Sequence, residues 1–461
     1  MLNTVRLKKK TVPKSKIKPF DFKRKPNRPT ALMHVAKGII SFPDLKKRGA
    51  VIEKIDMEGI EGKPYILLIN HASLVDLNLM LKATHPYPVN NVMTLEGYET
   101  YTAPIMRMLG VLAKRKFVQD LNLIRNIRYC LNELKTVFAI FPEARYTLDG
   151  KGSYIPESLG GLVKMMKVPT VMLEIKGNFV TCPQWNKINK GIYVEAKMYP
   201  LVKEDEIRTL TADEIFARIK KAFTYDDFKW QKEKGIVIDH PERAKGLHSL
   251  LYKCPNCGAE HETDSAGTEL WCNACKKRWT MDEYGQLHAN EGETEYPHIP
   301  DWSDWERACV REEIRNGTYR FEDEIRLETL PKGNCFYAQG TAKLIQTPEG
   351  TTIEGTCYGE PFTLHKKPLE QESVHIEYDY LGRGDCVEIS VTDDSYWCYL
   401  TKRDAITKLS FATEEIFFLA KENAPQKTPR ARRVRSPKEE SSKDETTQNE
   451  PVEKEPVKAE S

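Results

Sequence analysis

The sequence predicts an α/β layer fold followed by a cysteine-rich ribbon and a small β-rich domain. Three observations carry this reading. Between residues 31 and 240, apolar runs of strand length alternate with amphipathic stretches of helical length, the pattern of strands and helices packed in layers. Near residues 250–290, four cysteines fall into two C-x-x-C pairs. From about 295 to 422 the period changes to short alternating runs separated by Gly- or Asp-containing turns.

The elements follow in order. Residues 1–30 form a basic arm in which Pro13, Pro19, Pro26 and Pro29 oppose helix formation, so it is expected to be flexible. Tyr65-Ile-Leu-Leu-Ile69 reads as a buried strand and Leu74 to Leu81 as a short helix. Asn91 to Thr94 reads as a further strand and Leu121 to Lys135 as an amphipathic helix. Thr136 to Phe141 and Pro169 to Ile175 are buried strands flanking a helix at Gly160 to Lys167. Ile192 to Met198 is a strand and Ala212 to Phe223 a helix. In the β-rich part, runs at Tyr319–Leu330, Cys335–Ile345, Thr351–Cys357, Val374–Tyr380, Cys386–Val391 and Trp397–Leu400 precede a helix at about Thr413 to Lys421. Six or seven strands and a closing helix suggest a small barrel or roll, like a pleckstrin-homology fold, on element order alone. Residues 423–461 are rich in Pro, Ser, Lys and Glu, with too little apolar surface to offset ordering entropy, and are expected to be disordered.

The chain has 461 residues with 70 Lys+Arg and 67 Asp+Glu, a formal net charge of +3. The total conceals an asymmetry. Residues 1–30 hold eleven basic residues and one acid, about +10, the tail is near neutral, and the body is left at about −8. No run approaches the roughly 18–20 apolar residues of a membrane span, and no apolar stretch follows the arm as in a secretory signal. The eleven cysteines are odd in number and mostly scattered, which points to reduced thiols and a metal site in a cytosolic setting.

The first buried strand ends in Asn70-His71-Ala72-Ser73-Leu74-Val75-Asp76. A histidine at a strand-to-helix junction sits where α/β proteins place ligand sites. Five residues of continuous helix turn through about 500°, so His71 and Asp76 meet only if His71 lies in the turn and Asp76 in the first turns of the helix. Asp76 would then hold one ring nitrogen and leave the other as a base toward a substrate hydroxyl, with no protein nucleophile. The spacing by itself is common; a junction histidine bonded to a local acid is the alternative.

Three further segments change the context: Gly110-Val-Leu-Ala-Lys114-Arg115-Lys116-Phe117, then Phe141-Pro142-Glu143-Ala144-Arg145-Tyr146-Thr147, then Val168-Pro169-Thr170-Val171. With the first block they resemble, in order and spacing, the phospholipid/glycerol acyltransferase family of lysophosphatidate acyltransferase-like enzymes, over about residues 31–225. The resemblance implies an acyltransferase-like mixed sheet with helices, His71 as catalytic base, Asp76 as its orienter, and Asn70 and Ser73 at matching positions of the substrate site. It implies acyl-CoA or acyl carrier protein as acyl donor and a lysophospholipid-like acceptor.

The third block departs from the family pattern. Ala144 replaces the family's Gly, Tyr146 occupies its Arg position with Arg145 one place early, and Thr147 replaces Ser. The resemblance implies that this block, through Glu143 and Arg145, shapes the acceptor site, an Arg suiting a phosphate by bidentate bonding. Lys114, Arg115 and Lys116 offer three more cations for phosphate, or else form an exposed basic strand edge.

Cys254-Pro-Asn-Cys257 and Cys272-Asn-Ala-Cys275 are separated by fourteen residues and read as a four-thiolate zinc ribbon. A rubredoxin-like iron site shares the ligands but spaces its pairs further apart. With four thiolates no position is open, so the zinc is expected to be structural, with Trp271 and Trp279 packing against it. Trp302, Trp305 and Trp397 read as core or interface anchors, and His298, His365 and His375, lacking ligand-like spacing, as structural residues.

The expectation is an enzyme of phospholipid biosynthesis, 1-acylglycerol-3-phosphate O-acyltransferase-like, cytoplasmic and peripheral on the cytoplasmic face of the membrane. Its arm would bind the anionic surface at about 1 kcal/mol per basic residue. No nucleic-acid partner is expected. Two alternatives stand beside it: a catalytically degenerate lipid-binding protein, motivated by the altered third block, and a nucleic-acid or scaffold protein using the ribbon and the arm.

Overall fold

Ile66-Leu-Leu-Ile69 is buried at every position, on both faces, which is the environment that selects an unbroken branched apolar run for the middle of a parallel sheet. The computed structural model describes residues 7–8, 12–100, 103–333 and 335–425; the tail from 426 onward, read above as disordered, lies outside them. The chain falls into two units, Met1–Glu422 and Asn423–Ser461, and the account below concerns the first.

β1 (Leu7–Lys8) is a two-residue strand on the arm. The first sheet comprises β2 (Val51–Lys54), β3 (Ile66–Ile69), β4 (Val89–Thr94), β5 (Val111–Lys114), β6 (Val137–Ile140), β7 (Thr170–Lys176) and β8 (Glu195–Val202). Its spatial order is β2-β8-β7-β3-β6-β4-β5. The five strands from β7 to β5 are mutually parallel, and β8 runs antiparallel to β7. The helices of this part are α1 (Ala31–Lys47), α2 (Val75–Thr84), α3 (Leu95–Thr100), α4 (Ala103–Met108), α5 (Leu121–Asn132), α6 (Ser158–Met166), α7 (Glu206–Thr209), α8 (Ala212–Ala222) and α9 (Asp227–Lys234). Thr211 starts α8 with a capping box, its hydroxyl accepting from Glu214 N while the Glu214 carboxylate accepts from Thr211 N. One face of the sheet packs Leu67, Ile69 and Val171 with Leu79 and Met80 of α2; the other packs Ile66, Leu68 and Met172 with Ile127, Val163 and Ile215 of α5, α6 and α8. This is a mixed α/β architecture.

The four short antiparallel strands of the ribbon are β9 (Thr263–Ala266), β10 (Glu269–Cys272), β11 (Arg278–Met281) and β12 (Leu287–Ala289), in the order β12-β11-β10-β9. A helix, α10 (Ile299–Arg315), then precedes the third sheet. That sheet has β13 (Phe321–Thr329), β14 (Phe336–Thr347), β15 (Gly350–Cys357), β16 (Glu360–Lys366), β17 (His375–Glu377), β18 (Cys386–Ser390) and β19 (Ser395–Tyr399), ordered β16-β15-β14-β13-β19-β18-β17. The closing helix is α11 (Ile406–Glu422). A single hydrophobic cluster joins Phe179, Trp230 and Leu251 to Trp279 of the ribbon, Trp302 of α10, Ile325 and Leu344 of the third sheet and Ile406 of α11.

Among the elements absent from the sequence reading or shorter in it, three are so for a visible reason. α10 buries Ser303 and Glu306 with Trp302 and Val310, so its inward stripe is not apolar throughout. β16 is an edge strand with no fully buried position; Phe362 and Leu364, half-buried, alternate with exposed neighbours, a pattern too short to stand out. α11 begins at Ile406 rather than 413 because it is buried almost all round, Thr407 and Ser410 included, and lacks an amphipathic period at its start.

The arm residues 12–30 carry specific contacts with the body. Phe20 meets Tyr98 edge to face at 5.6 Å, Lys25 lies over the Tyr129 ring, and Lys14 pairs with Asp393 at 2.6 Å. Leu7–Lys8 adds a parallel strand beside Phe336–Tyr337. Gly110 shows how close the chains run: a Cβ there would lie 2.5 Å from Pro29 Cγ, and its φ of +74° also favours glycine. Asn90 Nδ2 donates to both Asn27 O and Gly110 O, fastening the arm at this point.

Candidate functional site

The carboxyl ends of the parallel strands gather the sequence blocks on one side of the sheet: residues 70–76 after β3, Glu96 after β4, 115–117 after β5, 141–147 after β6 and 177–180 after β7. Open parallel sheets bind ligands at this end.

His71 lies in the turn after β3, and Asp76 in the first turn of α2. Nδ1 of His71 and Oδ2 of Asp76 are 2.9 Å apart. The same Oδ2 accepts from Ala72 N at 2.7 Å and Ser73 N at 3.1 Å, the position near a helix N-terminus where a carboxylate is stabilised. Asp76 is fully buried, while the His71 side chain keeps 23% of its surface. Among the described residues none bonds Nε2 of His71. The ring sits between Phe141 at 4.2 Å and Tyr146 at 4.3 Å, which fixes its plane. Such an arrangement can set the tautomer of the imidazole and leave Nε2 as a proton acceptor.

The surrounding residues hold this pair in place. Glu143 Oε1 accepts from His71 N at 3.0 Å, and Thr147 N donates to His71 O at 3.0 Å, so the third block clamps both backbone groups of the histidine. Glu143 Oε2 accepts from Ser153 N at 2.7 Å, and Tyr225 OH reaches both carboxylate oxygens. Burial pushes the Glu143 carboxyl up to about 7, against the hydrogen bonds from Ser153, His71 and Tyr225. Asn70, wholly buried, exchanges two 2.8 Å bonds with Ile175, donating to its carbonyl and accepting from its N–H, and so ties the end of β3 to β7. Ser73 is buried, and its hydroxyl faces Val75 N at 3.4 Å.

Sequence reasoning missed two members of this group. Asn178 Nδ2 donates to Asp76 Oδ1 at 2.8 Å, filling the second oxygen of that carboxylate. Asp227, at the start of α9, accepts from Gly177 N and Phe179 N and so shapes the turn that presents Asn178; burial pushes its carboxyl up to about 7. No local signal marks either residue, because Asn178 lies 102 positions from Asp76 and Asp227 about 50 from the turn it supports.

Of the basic residues of the second and third blocks, Arg145, Arg115 and Lys116 are engaged with other elements. Arg145 is 5% exposed, and its guanidinium donates to Ser410 Oγ at 2.8 Å, Val374 O at 3.3 Å and Glu414 Oε1 at 2.5 Å. Arg115 is buried on the third sheet, donating to Leu330 O, Pro331 O, Asp393 O and Ser395 Oγ. Lys114 is partly buried, and burial lowers the pKa of its ammonium. Lys116 Nζ lies 3.7 Å from Glu96 Oε1. Ala144 holds φ at +56°, a left-handed conformation that favours glycine.

Cys254, Cys257, Cys272 and Cys275 form one group with all sulfurs within 4.8 Å of one another. Cys254 Sγ and Cys275 Sγ are 3.7 Å apart, and Cys257 Sγ and Cys272 Sγ 3.8 Å. Four sulfurs arranged tetrahedrally about one ion at about 2.3 Å stand about 3.8 Å apart, so the donor set fits a structural metal ion. Trp279 packs edge to face on Trp302 beside this group, and Trp271 carries Arg278 over its ring. Among the described residues no helix is long and apolar enough to cross a membrane.

No protein-family model matches the chain, and no curated protein does. Six solved chains match. One is the crystal structure of the 1-acyl-sn-glycerophosphate (LPA) acyltransferase PlsC from Thermotoga maritima, a weak structural likeness with 16% identity and a TM-score of 0.34, over 41% of this chain and 76% of that one.

Proposed function

We propose that this chain is an acyltransferase that moves a fatty acyl group from acyl-CoA or acyl carrier protein to a hydroxyl of a lysophospholipid- or glycerophosphate-like acceptor. The observation that carries the reading is the His71 Nδ1–Asp76 Oδ2 contact at 2.9 Å with Nε2 left without a partner among the described residues. Nε2 takes the proton of the acceptor hydroxyl as its oxygen attacks the thioester carbonyl. The C–O bond forms, the C–S bond breaks, and the proton passes from Nε2 to the departing thiolate. Asp76 steadies the imidazolium between the two transfers. No metal and no covalent enzyme intermediate are required, and positioning of the two substrates supplies much of the rest.

The ribbon ion in this reading is zinc, which suits four thiolates and has a structural role because no coordination position is open. The exposed Lys16, Lys18, Lys23, Arg24, Lys25 and Arg28 of the arm would hold the enzyme to an anionic lipid surface. Liposome sedimentation with and without residues 1–30, at varied salt, tests this; equal binding refutes it.

The test of the activity is turnover of labelled acyl-CoA or acyl carrier protein with a panel of lysophospholipids, compared with His71→Ala. A loss of about 10³-fold or more in kcat is expected for the variant. Absence of turnover with every acceptor overturns the enzyme reading, and turnover unchanged in His71→Ala overturns the mechanism. One observation favours a second reading, a lipid-binding protein without turnover: Arg145, the nearest candidate for the acceptor's phosphate, is already bonded to Glu414, Ser410 and Val374. Lysophospholipid binding without transfer would support that reading.

A further inference from the structure

Glu96 follows β4 at the carboxyl end of the first sheet, whereas His375 and Glu388 lie on β17 and β18 of the third. His375 and Glu388 are paired across the antiparallel ladder, which puts their side chains on the same face. One ligand atom from each of the three lies within 4.8 Å of the others. His375 is 5% exposed and Glu388 4%.

Two atoms in this cluster are buried and have no hydrogen-bond partner: Nδ1 of His375 and Oε2 of Glu388. The other atom of each group is engaged. His375 Nε2 stands 3.2 Å from Glu377 Oε1, and Glu388 Oε1 accepts from Ser390 Oγ at 2.8 Å. A carboxylate on one ring nitrogen, with the opposite nitrogen vacant, is how proteins prepare a histidine for a metal. Trp397 packs edge to face on the His375 ring at 6.1 Å and holds its orientation.

Three carboxylates gather here, Glu96, Glu377 and Glu388; Lys116 lies 3.7 Å from Glu96 and Lys187 3.9 Å from Glu377, and Arg115 acts on Glu388. A small cavity lined by Lys116, Gln371, Ser373 and Glu388 leaves room beside the cluster for a water ligand.

We propose that Glu96, His375 and Glu388 bind a divalent first-row transition cation, which ties the third sheet to the carboxyl end of the first. Two carboxylates and an imidazole suit Zn²⁺, Mn²⁺ or Fe²⁺, while Mg²⁺ and Ca²⁺ prefer oxygen alone. Donors about 2.1 Å from one ion stand about 3.0–3.4 Å apart, so the three groups, within 4.8 Å of one another, draw together on binding. This site is separate from the four cysteines in residues and in donor chemistry, and it does not depend on the acyltransferase reading. His375 carries no ligand spacing in the sequence because its partners come from two other elements, α3 and β18.

The experiment equilibrates the full chain with excess Co²⁺, removes free ion by gel filtration, and measures metal content and absorption. Two metal ions per chain are expected, one with thiolate charge-transfer bands and one without. His375→Ala and Glu388→Gln are each expected to remove one equivalent and leave the thiolate bands intact. Glu96→Gln, on the other sheet, does the same and serves if circular dichroism shows either β-strand variant unfolded. One equivalent in the wild-type chain, or two in the folded variants, overturns the proposal; in that case water satisfies the vacant atoms.

Discussion

Arg145 Nη2 donates to Glu414 Oε1 at 2.5 Å, joining the loop that clamps His71 to the closing helix of the third sheet. Glu414 also accepts from Arg307 at 2.7 Å and Ser373 Oγ at 2.7 Å, and it is held below the usual carboxylate range by Arg145 and Arg307 in spite of its burial. Breaking a buried pair by removing one partner costs about 3–5 kcal/mol. Arg145→Ala is therefore expected to lower stability by that order in urea unfolding. If Arg145 instead served the acceptor, the variant would raise the acceptor KM with stability unchanged, and the two measurements together separate these roles.

Asn178 is a positioning residue for the pair. Asn178→Ala leaves Asp76 Oδ1 without its donor at a fully buried site, a loss of about 1–3 kcal/mol. Under the proposed reaction kcat should fall by about tenfold or more while KM for the acyl donor holds, and the pH–rate profile should shift with the freed carboxylate. An unchanged kcat and profile in a folded variant would show that Asn178 only fills space.

Glu143 gives stability a pH dependence. Its carboxyl titrates at about 7 in the folded chain, against a reference value of 4.5, because burial opposes its charge. The unfolded chain sheds this proton first, so stability falls as pH rises from about 4.5 to about 7, by on the order of 3 kcal/mol. Asp227 adds a slope of the same sign from 3.8 to about 7. Thermal unfolding across pH 4.5–8 should show a shallower decline for Glu143→Gln than for the wild-type chain. Equal slopes would mean that Glu143 is ionised throughout.

Removal of the ribbon ion should be felt well beyond the four cysteines. Trp279 and Trp302, both fully buried, pack together in the cluster that runs from the ribbon into α10 and the third sheet. Under the zinc reading, Cys257→Ser with Cys272→Ser should lose one metal equivalent per chain and shift tryptophan emission to the red as these rings meet water. Metal loss with unchanged emission would show a ribbon that folds without its ion.

Some of this was readable in one dimension. β3 and β7 are legible because buried parallel strands demand unbroken branched apolar runs. Two C-x-x-C pairs bring their own geometry, since each pair spans a tight turn and one ribbon joins them. His71 and Asp76 are five residues apart and meet through a single turn, so their contact is a local matter. α10 was illegible because Glu306 and Ser303 sit on its buried stripe, and β16 because this edge strand has only a short, half-buried inward face.

The sequence by itself determined the layer order, the ribbon and the position of the His71–Asp76 pair, all set by period, composition and short-range spacing. Only the tertiary structure decided what the cations do. Arg145 reads as a phosphate ligand, and Arg115 and Lys116 as phosphate ligands or surface charge; the structure places Arg115 and Arg145 against the third sheet and Lys116 beside Glu96. The same holds for Asn178 behind Asp76 and for His375 beside Glu96. A long side chain's partner is chosen by which distant element packs against it, and that choice leaves no trace in the spacing of neighbouring residues.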